Sequence, residues 1–155
     1  MARPWVEFIQ SQNLPWDKGN LNSTRPGVEL KVLSADANTG ACSLLLRYPA
    51  KWSRSRRECL TVDEELFVLD GALTLNGQHY EKFAYAHLPA GYERNAMDSA
   101  NGAVVLTFLS ALPECQRAVT FNSARLVEHL DVFQVPYSGN FHPEFPPGAG
   151  RKILY

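Results

Sequence analysis

Residues 54–71 read RSRRECLTVDEELFVLDG, and residues 89–94 read PAGYER. In the first stretch the apolar run ELFVLD ends at Gly71, which predicts a short strand followed by a turn. The next five residues, ALTLN, alternate apolar with polar side chains, as a half-buried strand does. In the second stretch Pro89 and Gly91 predict another turn. The two stretches together predict a β structure made of short strands.

The pattern of short strands continues along the rest of the chain. Apolar or alternating runs recur about every ten residues with turn residues between them, which is typical of an all-β sandwich or barrel. Asn76 and Gly77 give the strongest hairpin signal. Residues 123–130, SARLVEHL, instead have the serine start and the apolar spacing of a short helix. The predicted strands cover residues 28–33, 41–48, 65–70, 72–76, 83–88 and 103–109.

The composition narrows the class of protein. The chain has 155 residues, of which 45% are hydrophobic, so it can form one domain with a buried core. Its 15 basic and 16 acidic residues give a net charge of −1, and we expect neither a nucleic-acid partner nor a membrane partner. No apolar run approaches the roughly 18 residues of a membrane span, and the N-terminal residues do not resemble a signal peptide. Three cysteines without a CxxC pair suggest a reducing compartment, so we expect a cytoplasmic protein.

The two ends of the chain predict arms that flank a core at about 28–120. Residues 14–33 align without a gap on residues 135–154, at a separation of 121 positions. The alignment matches Pro15 with Pro136, Trp16 with Tyr137, Pro26-Gly27 with Pro147-Gly148, and Lys31 with Lys152. We predict an N-terminal arm at 1–27 and a C-terminal arm at 131–155 that resembles residues 10–34. An arm of this kind can cover the strand edge of a partner subunit, so we expect a homodimer.

The two central stretches resemble the signature motifs of the cupin superfamily, G(X)5HXH(X)3-4E(X)6G and G(X)5PXG(X)2H(X)3N. Glu64 lies seven residues before Gly71 and takes the place of the glutamate in the first motif. The chain is most similar to the ChrR-like and acetylacetone-dioxygenase-like members. The resemblance implies a single domain with a cupin-type double-stranded β-helix, the RmlC-like jelly-roll barrel, in which the family holds a metal ion on three histidines and a glutamate.

The metal-binding histidines of the family are missing here. With a three-residue spacer the two histidine positions of the first motif fall on Glu58 and Leu60, and with a four-residue spacer they fall on Arg57 and Cys59. The histidine position of the second motif is Arg94. Arginine stays protonated and has no free lone pair, so it cannot bind a metal. We therefore predict no cofactor, with a metal on an unorthodox set of ligands as the alternative.

The resemblance also places a candidate pocket inside the barrel. Arg94 can bind a carboxylate or another small anion there through bidentate hydrogen bonds, or it can form a buried ion pair with Glu64 or Glu58. The histidines of the chain do not restore the metal site by pattern, and we expect surface or interface positions for them: His79, His87, His129 and His142. The predicted pocket side chains are Arg57, Glu58, Cys59, Leu60, Glu64 and Arg94.

Three functions remain open at this point. The first is a metal-independent domain that binds or senses a small acidic or oxygenated molecule in the barrel. The second is a small-molecule enzyme, either a dioxygenase with an unorthodox site or an isomerase or lyase that uses Glu58 or Glu64 as a general base. The third is a purely structural dimerisation domain. The sequence does not identify the substrate, because specificity in a fold of this kind depends on how the cavity-lining side chains pack.

Overall fold

The computed structural model describes residues 4, 8–18, 21, 24–118, 120–139, 144, 146 and 148–155. Within these residues eleven strands and three short 3-10 helices form, and no helix is long and apolar enough to cross a lipid bilayer. The 3-10 helices are Ser11–Asn13, Ser123–Arg125 and Val132–Gln134. The strands are β1 (Glu29–Ala35), β2 (Cys42–Tyr48), β3 (Trp52–Leu60), β4 (Glu64–Gly71), β5 (Leu73–Leu75), β6 (Gln78–Tyr80), β7 (Ala84–Leu88), β8 (Glu93–Ser99), β9 (Ala103–Leu109), β10 (Cys115–Gln116) and β11 (Val127–Asp131).

The strands form two antiparallel sheets that face each other. The larger sheet has the order β1-β2-β9-β4-β7-β11, and the smaller sheet has the order β10-β3-β8-β5-β6. Alternate residues of both sheets point inward and form one apolar core, which includes Leu44, Leu66 and Leu88 from the larger sheet and Leu60 and Leu75 from the smaller. This arrangement is a jelly-roll barrel, and the predicted fold class is confirmed.

Two turn predictions match the structure closely. Asn76 and Gly77 connect β5 to β6, and their φ angles of 52° and 83° are the positive pair that a type I′ hairpin turn requires. Gly71 ends β4 with φ 70°, and a Cβ atom at this position would lie only 2.1 Å from the carbonyl oxygen of Gly102. Only glycine fits there, because both the backbone angle and the close approach exclude a side chain.

The predicted helix at 123–130 is wrong. Only Ser123–Arg125 is helical, as a single 3-10 turn in which the side chain of Asn122 accepts a hydrogen bond from Ala124 N. The following residues form β11, which pairs with β7 at the edge of the larger sheet. A short isolated helix is marginal in water, whereas the open edge of β7 supplies backbone partners, so strand pairing prevails.

The basic segment after position 51 is also a strand that the apolar pattern does not reveal. β3 pairs with β8 along Trp52 to Cys59, with an irregular register between Ser55 and Glu58. Its middle residues are mostly charged and exposed, so the alternation of apolar and polar side chains is lost. This strand nevertheless carries Glu58 and Leu60 to the interior.

In their described residues, the two copies of the repeat, 10–34 and 131–155, share local structure. Each contains a 3-10 helix, and in each a lysine ammonium donates to the first carbonyl of that helix: Lys31 Nζ lies 2.8 Å from Ser11 O, and Lys152 Nζ lies 2.7 Å from Val132 O. The members of each pair of equivalent residues are 121 positions apart.

The same lysines also lie over aromatic rings. Lys31 Nζ is 4.6 Å from the ring centroid of Trp16, and Lys152 Nζ is 4.7 Å from that of Tyr137. Each copy of the repeat also contains one antiparallel bridge, Asp17 with Leu30 and Ser138 with Arg151. Pro147 lies outside the described residues. The contacts therefore repeat at the spacing of the sequence repeat.

Candidate functional site

Glu64 is the centre of the candidate site. It is the first residue of β4, where it pairs with Leu88 of β7 and Leu109 of β9. Leu88 and Leu109 belong to the core, and the side chain of Glu64 is only 3% exposed. A carboxylate so deeply buried requires partners of opposite charge.

Two arginines supply those partners. Arg25 Nη2 donates to both carboxylate oxygens of Glu64, at 2.8 and 2.9 Å, and Arg94 Nη2 donates to Oε2 at 2.9 Å. Arg25 Nε also donates to Tyr48 Oη at 3.1 Å, and Arg94 Nη1 donates to Tyr92 O at 3.0 Å. The Arg25–Glu64–Arg94 cluster is therefore held by charge-assisted hydrogen bonds inside the barrel.

Arg25 is the member of this cluster that the sequence did not reveal. It lies in the segment before β1, next to the Pro26-Gly27 turn, and its side chain enters the barrel from there. The only signal is a cationic residue beside a turn, which usually marks a solvated loop. Because Arg25 and Glu64 are 39 positions apart, only the folded barrel brings them together.

The electrostatics of the cluster favour the ionised carboxylate. Burial alone would raise the pKa of Glu64, but the neighbouring guanidinium groups of Arg25 and Arg94 outweigh it and lower that pKa below its ordinary value. The pKa of Tyr48 is raised, chiefly by burial, so its hydroxyl stays neutral. The cluster then contains two positive groups and one negative group.

The residues present do not fit the metal of the cupin family. A mononuclear site requires several imidazole or carboxylate donors that converge on one point. Glu64 contacts two guanidinium groups instead, and these cannot coordinate a cation. Within the described residues no group of three His, Cys, Asp or Glu side chains is placed to hold a metal ion. The guanidinium groups thus lie where a metal centre would need further ligands.

The barrel interior next to the cluster is closely packed. The residual gap beside Glu64 has no room for a water molecule. The gap is bounded by these residues: Leu21, Thr24, Arg25, Leu46, Leu60, Glu64, Thr107, Leu109 and Pro113. The predicted pocket is therefore closed, largely because the segment that carries Arg25 lies across it.

The structure separates the other predicted pocket residues. Leu60 is 1% exposed and lines the gap beside Glu64. Glu58 lies on the same side of β3, opposite the inward-pointing Arg94 of β8. Cys59 is buried between them and points the opposite way, and Arg57 is exposed and pairs with Glu93. The three-residue spacer of the first motif therefore describes the inward positions, and Arg57 does not contribute to the barrel interior.

Glu58 belongs to a second ion pair. Its carboxylate accepts two hydrogen bonds from Arg54, at 2.8 and 2.7 Å, although its Cα partner across the sheet is Arg94. Burial opposes its ionisation, but the hydrogen bond from Arg54 helps to lower the pKa of Glu58. Cys115 lies nearby, and its pKa is raised by burial and by Glu58. Of the two open ion pairs for Arg94, the structure shows the one with Glu64.

The described histidines lie outside the barrel interior. His79 and His129 are exposed, as expected, whereas His87 is 2% exposed and lies beneath the C-terminal residues. His87 points away from the core because its neighbour Leu88 points inward. His142 lies outside the described residues. The structure thus buries His87, for which the sequence predicted a surface or interface position.

The jelly-roll topology and a glutamate at the start of β4 define the chain as a cupin, with a charged cluster in the position of the metal site. The sequence model of the ChrR cupin-like domain matches residues 6–113, so the chain belongs to this family. No curated protein has a sequence that matches the chain significantly.

Solved structures share the fold at low sequence identity. A candidate dioxygenase from Nostoc punctiforme superposes with a TM-score of 0.65 and 21% identity over 73% of this chain, which spans only 42% of that protein. An RmlC-like cupin from Ralstonia eutropha gives 0.58 and 12%, covering 81% of this chain and 79% of its own. An acetylacetone dioxygenase from Acinetobacter johnsonii gives 0.53 and 11%, covering 82% and 84%. These similarities establish the fold of the chain, and its function has to be inferred from the residues of the candidate site.

Proposed function

We propose that this domain is a metal-independent cupin that binds a small acidic molecule, with the Arg25–Glu64–Arg94 cluster in place of a metal centre. The charge of the cluster carries the proposal. Two guanidinium groups share one carboxylate, so the buried cluster has a net charge of +1. An uncompensated charge in an apolar interior is costly, and a bound anion would compensate it.

Two orphan polar atoms near the cluster support the same idea. Within the described residues, Arg94 Nε and Thr107 Oγ1 are buried and lack a hydrogen-bond partner. Thr107 lines the gap that Arg25 and Glu64 also line. A carboxylate in this gap can accept a hydrogen bond from the hydroxyl of Thr107. Because the gap is closed, binding requires the part of its wall formed by Leu21 and Thr24 to shift while Arg25 stays paired with Glu64.

The charge pattern favours binding over general base catalysis. A general base works best when its pKa lies near the operating pH, whereas the arginine partners lower the pKa of Glu64 and of Glu58. Each carboxylate oxygen of both residues also accepts at least one hydrogen bond from an arginine. We therefore assign Glu64 to the structure of the site rather than to proton transfer.

The test combines metal analysis with thermal unfolding. Protein purified without chelator is expected to contain less than stoichiometric iron, manganese or zinc. Formate, acetate and oxalate are expected to raise the melting temperature above that in sodium chloride of equal ionic strength. Arg94→Ala should abolish this increase because it removes the excess charge. Arg57→Ala is the matched control, because Arg57 is exposed, and it should keep the increase.

Two results would overturn the proposal. Stoichiometric metal would contradict the absence of a metal centre. Equal melting temperatures in the three carboxylates and in chloride would contradict anion binding.

Dimerisation is a second candidate function, and the repeated arm favours it. In the first copy, the strand that contains Lys31 continues into a full ladder with β2. In the second copy, residues 152–155 have no strand partner within the described part of the chain, and Ile153 is 57% exposed. A segment whose backbone has no strand partner can pair with another chain. We propose that this segment pairs with a second copy of the domain.

Light scattering tests the dimer. The unmodified chain should have the mass of a dimer, and deletion of residues 135–155 should give a monomer. Ile153→Asp should weaken the dimer without removing the arm, whereas the same change at exposed Leu112 should not. A monomeric unmodified chain would refute this role.

A further inference from the structure

A cavity of about 310 Å³ lies outside the barrel, between the larger sheet and the C-terminal residues. The strand register explains its floor. Ser43 of β2 pairs with Phe108 of β9, Phe108 pairs with Glu65 of β4, and Glu65 pairs with His87 of β7. These four residues form one row across the outer face of the sheet, and all four line the cavity.

His87 presents a nitrogen with a defined protonation state to this cavity. Its Nδ1 lies 2.6 Å from the carbonyl oxygen of Arg125, which can only accept, so Nδ1 carries the proton. In the neutral ring Nε2 then has the free lone pair. Within the described residues Nε2 has no hydrogen-bond partner. It is also not one of the polar atoms that are both unpartnered and fully buried, so part of its surface is accessible. It therefore opens on the cavity that His87 lines.

The ring of His87 is fixed in place by its surroundings. Tyr155 stacks on it, with 3.6 Å between the ring centroids and an angle of 20° between the planes. Arg125 Nε donates to Tyr155 Oη at 2.7 Å, and Arg125 Nη2 lies 2.8 Å from Asp63 Oδ2. Asp63 in turn accepts a hydrogen bond from Ala90 N. These contacts preorganise the imidazole without using its Nε2.

Glu65 gives the cavity its charge. One carboxylate oxygen accepts a hydrogen bond from Tyr85 Oη at 2.7 Å, and the other has no partner within the described residues. Arg125 is already paired with Asp63, so the lining carries a net charge of −1 when His87 is neutral. Beside the rings of Phe108 and Tyr155, the lining therefore includes His87 Nε2 and an anionic oxygen of Glu65 as acceptors without a partner among the described residues.

We propose that this outer cavity binds a small primary amine. The ammonium group would donate to the carboxylate of Glu65 and to His87 Nε2, and the rings of Phe108 and Tyr155 would contact its apolar part and its charge. The volume is near the lower limit of about 300 Å³ for ligand pockets, so the ligand is small. The site is independent of the barrel, whose excess charge is positive and repels an amine.

Phenethylamine is the probe for this site. Calorimetric titration of the full chain should give saturable binding, and 3-phenylpropanol, which is similar in size but uncharged, should bind at least tenfold more weakly. Glu65→Gln removes the charge but keeps the shape, and it should also weaken phenethylamine at least tenfold. The control Glu81→Gln, at an exposed position, should leave the affinity unchanged.

Nitrogen NMR of the histidine rings shows where on the protein the amine binds. The Nε2 signal of His87 should move during the titration, while that of exposed His79 should not. Arg94→Ala, which alters the barrel, should leave amine binding intact, so this test is separate from that of the barrel anion.

Three outcomes would overturn the amine site. They are no saturable binding of phenethylamine, equal affinity for the alcohol, or an unchanged affinity in a folded Glu65→Gln variant.

Discussion

Replacement of Glu64 by glutamine tests the central cluster most directly. The carboxylate accepts three hydrogen bonds, two from Arg25 and one from Arg94, and all three groups are nearly inaccessible to solvent. Glutamine keeps the shape but turns one acceptor oxygen into an NH2 donor that faces guanidinium donors. The buried charge rises from +1 to +2. Breaking a buried ion pair in this way costs about 3–5 kcal/mol of folding free energy.

Urea unfolding, followed by tryptophan fluorescence, measures this loss. With a slope of about 2 kcal/mol per molar urea, the midpoint of Glu64→Gln should fall by about 1.5–2.5 M. Adding Arg94→Met restores the charge of the cluster to +1 and should recover part of the loss. Glu93→Gln, which affects the more exposed pair with Arg57, should barely change the midpoint. A decrease below about 0.5 M for Glu64→Gln would refute the view that this cluster stabilises the barrel.

Three further expectations follow from particular residues. The fold lowers the pKa of Glu64, so the contribution of Glu64 to the free energy of unfolding is fully present above the pKa of an unfolded glutamate, about 4.3. This contribution is lost as the pH falls through the pKa of the folded state. Unfolding at a series of pH values should therefore show a smaller loss of stability at acidic pH in Glu64→Gln than in the unmodified chain. Gly71→Ala should lower the melting temperature far more than Gly77→Ala, since both have positive φ but only the first meets a backbone atom; similar decreases would contradict the close approach. Lys152→Ala removes the ammonium that binds Val132 O, and hydrogen exchange should become faster around the 3-10 helix Val132–Gln134 while the barrel strands stay protected.

The cluster also connects the fold to its proposed role. The segment before β1 inserts Arg25 into the barrel and thereby closes the interior from one end. Loss of Arg25 would leave Glu64 with Arg94 alone and would open the gap. Arg25→Ala and Arg94→Ala each leave Glu64 in a neutral pair, but only Arg25→Ala opens the gap, so a comparison of the two variants separates the contribution of closure from that of charge.

Much of the fold is encoded locally, and the sequence reveals that part. The strand at Ala103–Leu109 has the predicted bounds, because an uninterrupted apolar run flanked by turn residues has few other stable conformations. The Asn76-Gly77 turn follows from backbone angles that few residue types adopt. The loss of the metal ligands is equally visible, since arginine at position 94 cannot coordinate a cation.

The tertiary structure alone decided which of these residues meet. Arg25 reaches Glu64 across 39 positions, Leu60 rather than Cys59 lines the interior, and residues 127–131 pair with β7 instead of continuing a helix. The same packing closes the predicted pocket and buries His87 beside a different cavity. Local patterns specify backbone conformation and the face a side chain occupies. The partner of a buried charge is set by strand order and register, which bring distant segments together only in the folded barrel.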